Sequence, residues 1–207
     1  MEIRRFVWVL AAVPALLSAG TRSEMDGGAV ADPHAHHRQM MQREAYSRSE
    51  HRYEVPAVVL TSMDGHKVAL AEELQNGQPV LLNFIFTTCT TICPVLSASF
   101  TQVQKELGPE ASHVQMISVS IDPQNDSPAK LSDYAKRFKA GPGWQFLTGD
   151  LDDVIAVQKA FDAYRGDKMN HPPLTFMRAS AEGSWVRFEG FASAADLVRE
   201  YRDLTTR

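Results

Sequence analysis

Residues 79–94 read PVLLNFIFTTCTTICP, from Pro79 to Pro94. The run Pro79–Phe86 is almost wholly apolar, as expected of a strand buried on both faces. Thr87 and Thr88 break it, Cys89 and Cys93 follow, and Leu96, Phe100, Val103 and Leu107 then recur at helical spacing. The segment Val114–Ile121 (VQMISVSI) is the next strand. Strand, helix and strand in that order make a βαβ unit, whose two strands run parallel.

Working outward, Val58–Thr61 and Lys67–Leu70 flank Met63-Asp64-Gly65-His66 and read as a β-hairpin. Downstream, Ser127-Pro128 is a helix start with Ser as N-cap and Pro in the first turn, and Leu131, Tyr134, Ala135 and Phe138 form one apolar face. Trp144–Leu147 is a short strand. Asp150 starts another helix, with Asp152 and Asp153 placed to suit the helix dipole. Leu174–Met177 and Trp185–Phe188 read as strands around Ala181-Glu182-Gly183. A last helix starts at Ser193, with Asp196 three residues on as a capping-box signal. The fold class is α/β: a central mixed sheet flanked by helices, with an N-terminal β-hairpin, in the thioredoxin-like order.

The N-terminus is of a different kind. Arg4 and Arg5 precede the apolar run Phe6–Leu17, and Ser18, Ala19 and Gly20 are small residues suited to cleavage. Residues 1–20 therefore read as a signal peptide, or as a short membrane anchor if uncleaved. The run is short for a span, which needs roughly 20 residues. Either reading exports the body of the chain, to the periplasm, with membrane association only through an uncleaved leader. Residues 21–52 lack an apolar period and read as a flexible linker containing His34, His36, His37, Met40 and Met41. Residues 53–207 are the folded domain. The chain carries a formal net charge of −4 and no basic block, which argues against nucleic-acid binding.

The chain has only two cysteines, Cys89 and Cys93. A bridge closing so small a loop would constrain the unfolded chain little, so the pair is poor as a staple and better explained by chemistry. It lies where a strand ends and a helix begins, the place where sites form in parallel α/β sheets. Amides at a helix start favour a thiolate, so the reading is two activatable, accessible thiols. Positions i and i+4 share a helical face, so two thiolates can converge on one ion or close into a disulfide. Thiolates are soft ligands that select Cu(I), zinc or iron–sulfur, and two sulfurs call for a third ligand. His171, in Lys168-Met169-Asn170-His171-Pro172-Pro173-Leu174, is the best candidate. A surface loop histidine is the plainer alternative.

These blocks resemble the Sco/SenC family, thioredoxin-fold proteins that deliver copper to cytochrome c oxidase. The resemblance runs over about residues 55–205. It rests on Asn83-Phe84-Ile85-Phe86, on Cys89 to Pro94, on Ile117 through Asp122-Pro123 to Asp126-Ser127-Pro128, on Phe146-Leu147-Thr148-Gly149, and on His171 before a late strand. It implies that Cys89, Cys93 and His171 hold one copper ion, as Cu(I) and also as Cu(II). It also implies an acceptor protein such as cytochrome c oxidase subunit II. The family's histidine usually follows Asp. Here Asn170 precedes it and Pro172-Pro173 follow, which bears on how the imidazole is oriented.

Two functions follow as expectations. One is a metallochaperone, not an enzyme in the ordinary sense. The other is a thiol–disulfide oxidoreductase working through Cys89 and Cys93, with a thiol–disulfide reductase as its own partner. A peroxide-reducing enzyme ranks last, because no Thr, Cys and Arg pattern surrounds one cysteine. Among other residues, Asp122 and Asp126 read as turn and cap chemistry, Thr87, Thr88, Thr90 and Thr91 as loop-bonding and helix-capping residues, Met169 as packing or as a contact to the metal or a partner, and Pro172, Pro173 or neither as a cis proline.

Overall fold

The structure is a computed structural model that describes residues 45–206. The signal or anchor reading of residues 1–20, and the cluster His34, His36, His37, Met40 and Met41, fall outside the described residues. The strands are β1 (Tyr46–His51), β2 (Val59–Ser62), β3 (Lys67–Ala69), β4 (Val80–Ile85), β5 (Gln115–Ser120), β6 (Trp144–Thr148), β7 (Leu174–Arg178) and β8 (Trp185–Gly190). The helices are α1 (Leu70–Leu74), α2 (Ile92–Leu107), α3 (Pro128–Arg137), α4 (Leu151–Ala160) and α5 (Ala194–Thr205), with short 3₁₀ turns at Gly108–His113 and Lys168–Asn170.

All eight strands join one sheet in the order β1-β8-β7-β4-β5-β6-β2-β3. β4, β5 and β6 are parallel, and the remaining pairings are antiparallel. Every residue of β4 and β5 is buried; β4 is accordingly almost continuous in apolar residues, while β5 also buries Gln115, Ser118 and Ser120. Consecutive strand residues face opposite ways, and Phe84 and Asn83 show it. Phe84 meets Phe161 and Phe176, with Trp185 and Tyr53 completing that aromatic cluster. Asn83 faces the other layer, where its Oδ1 accepts from Ser118 Oγ (2.7 Å), which in turn accepts from Trp144 Nε1 (2.9 Å). There Trp144 and Phe146 pack with Phe100 of α2 and Tyr134 of α3. Each buried large side chain stabilises the fold by roughly 1.5–3 kcal/mol.

The helix starts read from Ser127 and Ser193 are present. Ser127 Oγ accepts from the Lys130 amide, and Ser193 Oγ accepts from the Asp196 amide while donating to Asp196 Oδ2 (2.6 Å). Asp150 sits at the N-cap of α4 with extended backbone, but its side chain makes no capping bond. The hairpin β2–β3 closes through Ser62 N–H to His66 O (2.8 Å), with Gly65 at φ 84°, a left-handed value glycine adopts without strain.

Two boundaries differ from expectation. Tyr46–His51, inside the stretch read as linker, is edge strand β1, paired along its whole length with β8. Leu70, read as the end of a strand, begins α1. All described peptide bonds are trans, so neither Pro172 nor Pro173 is a cis proline. Among the described residues, no helix is long and apolar enough to cross a membrane.

Candidate metal centre

The end of β4 runs into the loop Phe86–Thr91, and α2 begins at Ile92 with Thr91 in the N-cap position. Cys93 is therefore a first-turn residue of α2, while Cys89 lies in the loop before it. The pair does not share a helical face as the spacing suggested. Instead the loop turns back through Cys89 N–H to Phe86 O (3.1 Å), and this brings Cys89 Sγ over the open end of the helix. The Cys93 amide, one of the unpaired donors of a helix start, donates to Cys89 Sγ at 3.4 Å. The Phe86 amide donates to Cys93 Sγ at 3.5 Å.

β7 is antiparallel to β4, with Asn83 opposite Thr175. The start of β7 therefore lies beside the end of β4, and the residues just before it, His171-Pro172-Pro173, arrive next to the cysteine loop. His171 Nε2 lies 3.6 Å from Cys93 Sγ. The ligand atoms of Cys89, Cys93 and His171 all fall within 4.8 Å of one another, the only such group of three among the described residues.

The imidazole is held in one tautomer. Its Nδ1 lies 2.7 Å from the Lys168 carbonyl, which can only accept, so Nδ1 carries the proton and Nε2 presents its lone pair to the sulfurs. Phe86 packs edge-on to the ring, with centroids 5.4 Å apart. Asn170, the residue in the position where the family usually has Asp, is exposed. The orienting partner of the imidazole is thus a backbone carbonyl, reached because Lys168–Asn170 winds into a 3₁₀ turn started by Asp167, whose Oδ1 accepts from the Met169 amide (2.8 Å).

The three candidate ligands are more buried than the sequence suggested: Cys89 and His171 are each 7% exposed and Cys93 is fully buried. The two thiols are not equivalent. Burial pushes the Cys89 thiol up, but hydrogen bonds from the region of Cys93 and Thr91 outweigh it and bring the thiol below its ordinary value. Cys93 is pushed far up by burial, with the neighbouring Cys89 adding to the effect. Only one of the two is an activated thiol in the metal-free protein. Burial lowers the pKa of His171 against the opposing effect of the Lys168 carbonyl, so the ring is neutral at physiological pH.

A fully buried carboxylate braces the loop. Asp126 accepts from the Thr87 amide (3.1 Å), from Thr87 Oγ1 (2.5 Å) and from Ser120 Oγ (2.6 Å). Its structural reading stands, and one of its bond partners, Thr87, lies two residues before Cys89. Met169 is 69% exposed, so it is not core packing. Beside His171 opens a cleft of about 210 Å³ that Ile121, Leu151, Gln158 and Tyr164 also line.

A family model described as SCO1/SenC matches residues 49–205. The chain belongs to the SCO1/SenC family. Among curated relatives, the SCO1 protein homolog of Bacillus subtilis is 42% identical over 98 residues, 47% of this chain and 50% of that protein. The mitochondrial SCO2 homolog of Bos taurus is 34% identical over 90 residues, 42% of this chain and 33% of that protein. The matches thus span half or less of these relatives. Solved structures agree over more of the chain. BsSco, described as a member of the Sco family of cytochrome c oxidase assembly proteins, aligns with 76% of this chain and 96% of its own, at 29% identity and a TM-score of 0.64. A SCO1/SenC family lipoprotein from Bacillus anthracis covers 75% of this chain and 97% of its own, at 24% identity and a TM-score of 0.65. The fold is the thioredoxin-like one of these Sco proteins. In this SCO1/SenC chain the sequence pointed to all three convergent side chains, but it missed Lys168, whose carbonyl accepts from His171 Nδ1.

Proposed function

We propose that this chain is an exported copper metallochaperone that carries one copper ion on Cys89, Cys93 and His171 and releases it to an acceptor during assembly of the binuclear copper site of cytochrome c oxidase. The observation that carries the reading is the convergence of two sulfurs and one imidazole nitrogen within 4.8 Å. Two soft thiolates and a neutral nitrogen suit Cu(I) and also bind Cu(II). The residues are prepared for that cargo. Cys89 is the thiol that ionises first. Cys93 gives up its proton as the ion arrives, since thiol ligands bind metal only when deprotonated. His171 needs no deprotonation, and the Lys168 carbonyl fixes the nitrogen it offers. Support for copper also comes from a neighbouring solved fold, yeast Sco1 with copper bound, with a TM-score of 0.63 at 22% identity. Support for export comes from the leader at residues 1–20 and for oxidase assembly from the description of BsSco.

The inequality of the two thiols supports a second reading, a thiol–disulfide oxidoreductase that reduces a target cysteine pair. Cys89 would attack as thiolate and Cys93, 3.4 Å away through its amide, would resolve the mixed disulfide. Titration of the reduced full chain with Cu(I), beside Cys89→Ser, Cys93→Ser and His171→Ala, separates the readings. The chaperone reading expects one ion per chain and weakened retention in each variant. Wild-type stoichiometry other than one, or His171→Ala affinity equal to wild type, refutes the three-ligand site. Efficient insulin reduction by the copper-free chain, lost in Cys89→Ser, would favour the second reading.

A further inference from the structure

Lys168 touches the site twice. Its backbone carbonyl accepts the Nδ1–H of His171 (2.7 Å). Its side chain runs the other way and pairs with Asp122 Oδ2. Asp122 is itself buried and fixed, since both its oxygens accept from Asn125 Nδ2 at 2.9 and 3.1 Å and its amide donates to Ser120 Oγ. It sits just past the carboxyl end of β5, the parallel neighbour of β4. The Lys168 ammonium also lies 5.4 Å from the centre of the Phe86 ring, the same ring that packs edge-on against His171. The 3₁₀ turn that orients the imidazole is thus tied to the carboxyl ends of the central strands β5 and β4 through one ion pair and one cation–π contact. Asp167, which caps the same turn, is exposed and anchors it to nothing outside itself.

We propose that Lys168, held by Asp122, is a positioning residue for the copper-ligating imidazole of His171. Its part is to hold a backbone carbonyl in place, so that Nε2 faces the two sulfurs before any ion arrives. The proposal rests on the copper reading above. An alternative use of the same residue is plain charge: an ammonium near two thiolates would favour the anionic site wherever its carbonyl pointed. The two uses make opposite forecasts for Asp122. If charge alone matters, removing the Lys168 cation weakens copper binding, and removing the Asp122 anion strengthens it. If positioning matters, both removals weaken binding, because each breaks the same tie.

The test uses the reduced full chain, with cuprous ion in a competition titration and cupric ion for the electron paramagnetic resonance of the loaded site. The proteins are wild type, Lys168→Met, Lys168→Arg, Asp122→Asn, His171→Ala and the double variant His171→Ala with Lys168→Met. Partners that orient a ligand histidine typically contribute about 10–100-fold in metal affinity. Lys168→Met and Asp122→Asn are therefore each expected to weaken binding about tenfold and to shift the nitrogen signature of the cupric spectrum in the same sense. Lys168→Arg, which can still reach the carboxylate, should restore most of both. In the His171→Ala background, Lys168→Met should add nothing, because its path to the ion is gone. Opposite effects of Lys168→Met and Asp122→Asn would overturn the proposal, as would an undiminished loss in the His171→Ala background or an unchanged spectrum. Failure of the copper reading shows separately, as wild type and His171→Ala binding alike, before any Lys168 variant is compared.

Discussion

Replacing Asp126 should reveal how much the cysteine loop depends on a side chain that never meets the ligand atoms. The carboxylate is fully buried and accepts from the Thr87 amide and the hydroxyls of Thr87 and Ser120. In Asp126→Ala all three donors lose their acceptor. The two hydroxyls can rotate toward other oxygens, but the Thr87 amide cannot turn, and a buried donor left unpaired costs about 1–3 kcal/mol. Hydrogen bonds to charged groups contribute about 1.5–3 kcal/mol each, offset in part because the mutant no longer buries a charge. The expected loss is about 2–4 kcal/mol. Asp126→Asn separates charge from connectivity. An amide oxygen at the Oδ2 position keeps the Thr87 amide and Ser120 bonds, and its NH₂ at Oδ1 can donate to Thr87 Oγ1 once that hydroxyl turns. Its loss should be about 1 kcal/mol. Urea unfolding of the metal-free chain measures both, and an unchanged slope against denaturant confirms that only stability has moved. An Asp126→Ala midpoint indistinguishable from wild type, or an Asn variant as damaged as the Ala one, would refute the brace.

Other outcomes follow from the same geometry. Iodoacetamide should label Cys89 with a pH midpoint below the ordinary thiol value, while Cys93 resists labelling in the folded chain; mass spectrometry of the labelled peptide distinguishes them. Because the folded pKa of Cys93 is raised, its contribution to stability is present below the unfolded thiol pKa and is lost as pH rises. The metal-free chain should therefore weaken above about pH 9, by up to about 1.4 kcal/mol per pH unit, in urea unfolding. Cuprous affinity should rise with pH, steeply while both thiols are protonated and less steeply once Cys89 has ionised, and a pH-independent affinity would contradict thiolate ligation. Gly190→Ala should free β1 from the sheet edge, since φ is 118° there and a Cβ would collide with Ala45 and Tyr46; faster hydrogen exchange confined to Tyr46–His51 is the expected sign.

What the sequence disclosed depended on how local each cause is. The strand before the cysteines is written as an apolar run because both its faces are covered. The caps at Ser127 and Ser193 are written in single residues. β1 is different. Tyr46–His51 (YSRSEH) is almost entirely exposed and has no apolar alternation, because it is an edge strand whose order comes from pairing with β8, some 140 residues away in sequence. No local period records that kind of cause. α1 escapes for another reason: five residues are too few to show a period of 3.6.

The site divides along the same line. Cysteine spacing suggested a shared helical face, but where α2 begins decides which cysteine is helical. Thr91 occupies the N-cap without a side-chain capping bond, and with threonines at 87, 88, 90 and 91 the residue type alone does not single out the boundary. His171 is separated from Cys93 by 78 residues and is brought back by antiparallel pairing of β7 with β4, an outcome of sheet order. The resemblance supplied what periodicity could not. Even a resemblance is silent on Lys168, because the group that orients the imidazole is a backbone carbonyl, and every residue type has one. Only the side chain of Lys168 is specific to the sequence, and its effect on the imidazole passes through the backbone it anchors. If a backbone oxygen sets the direction of a ligand, the residues to mutate are those that fix that backbone, and here they are a lysine three positions before the histidine and an aspartate just past the end of β5.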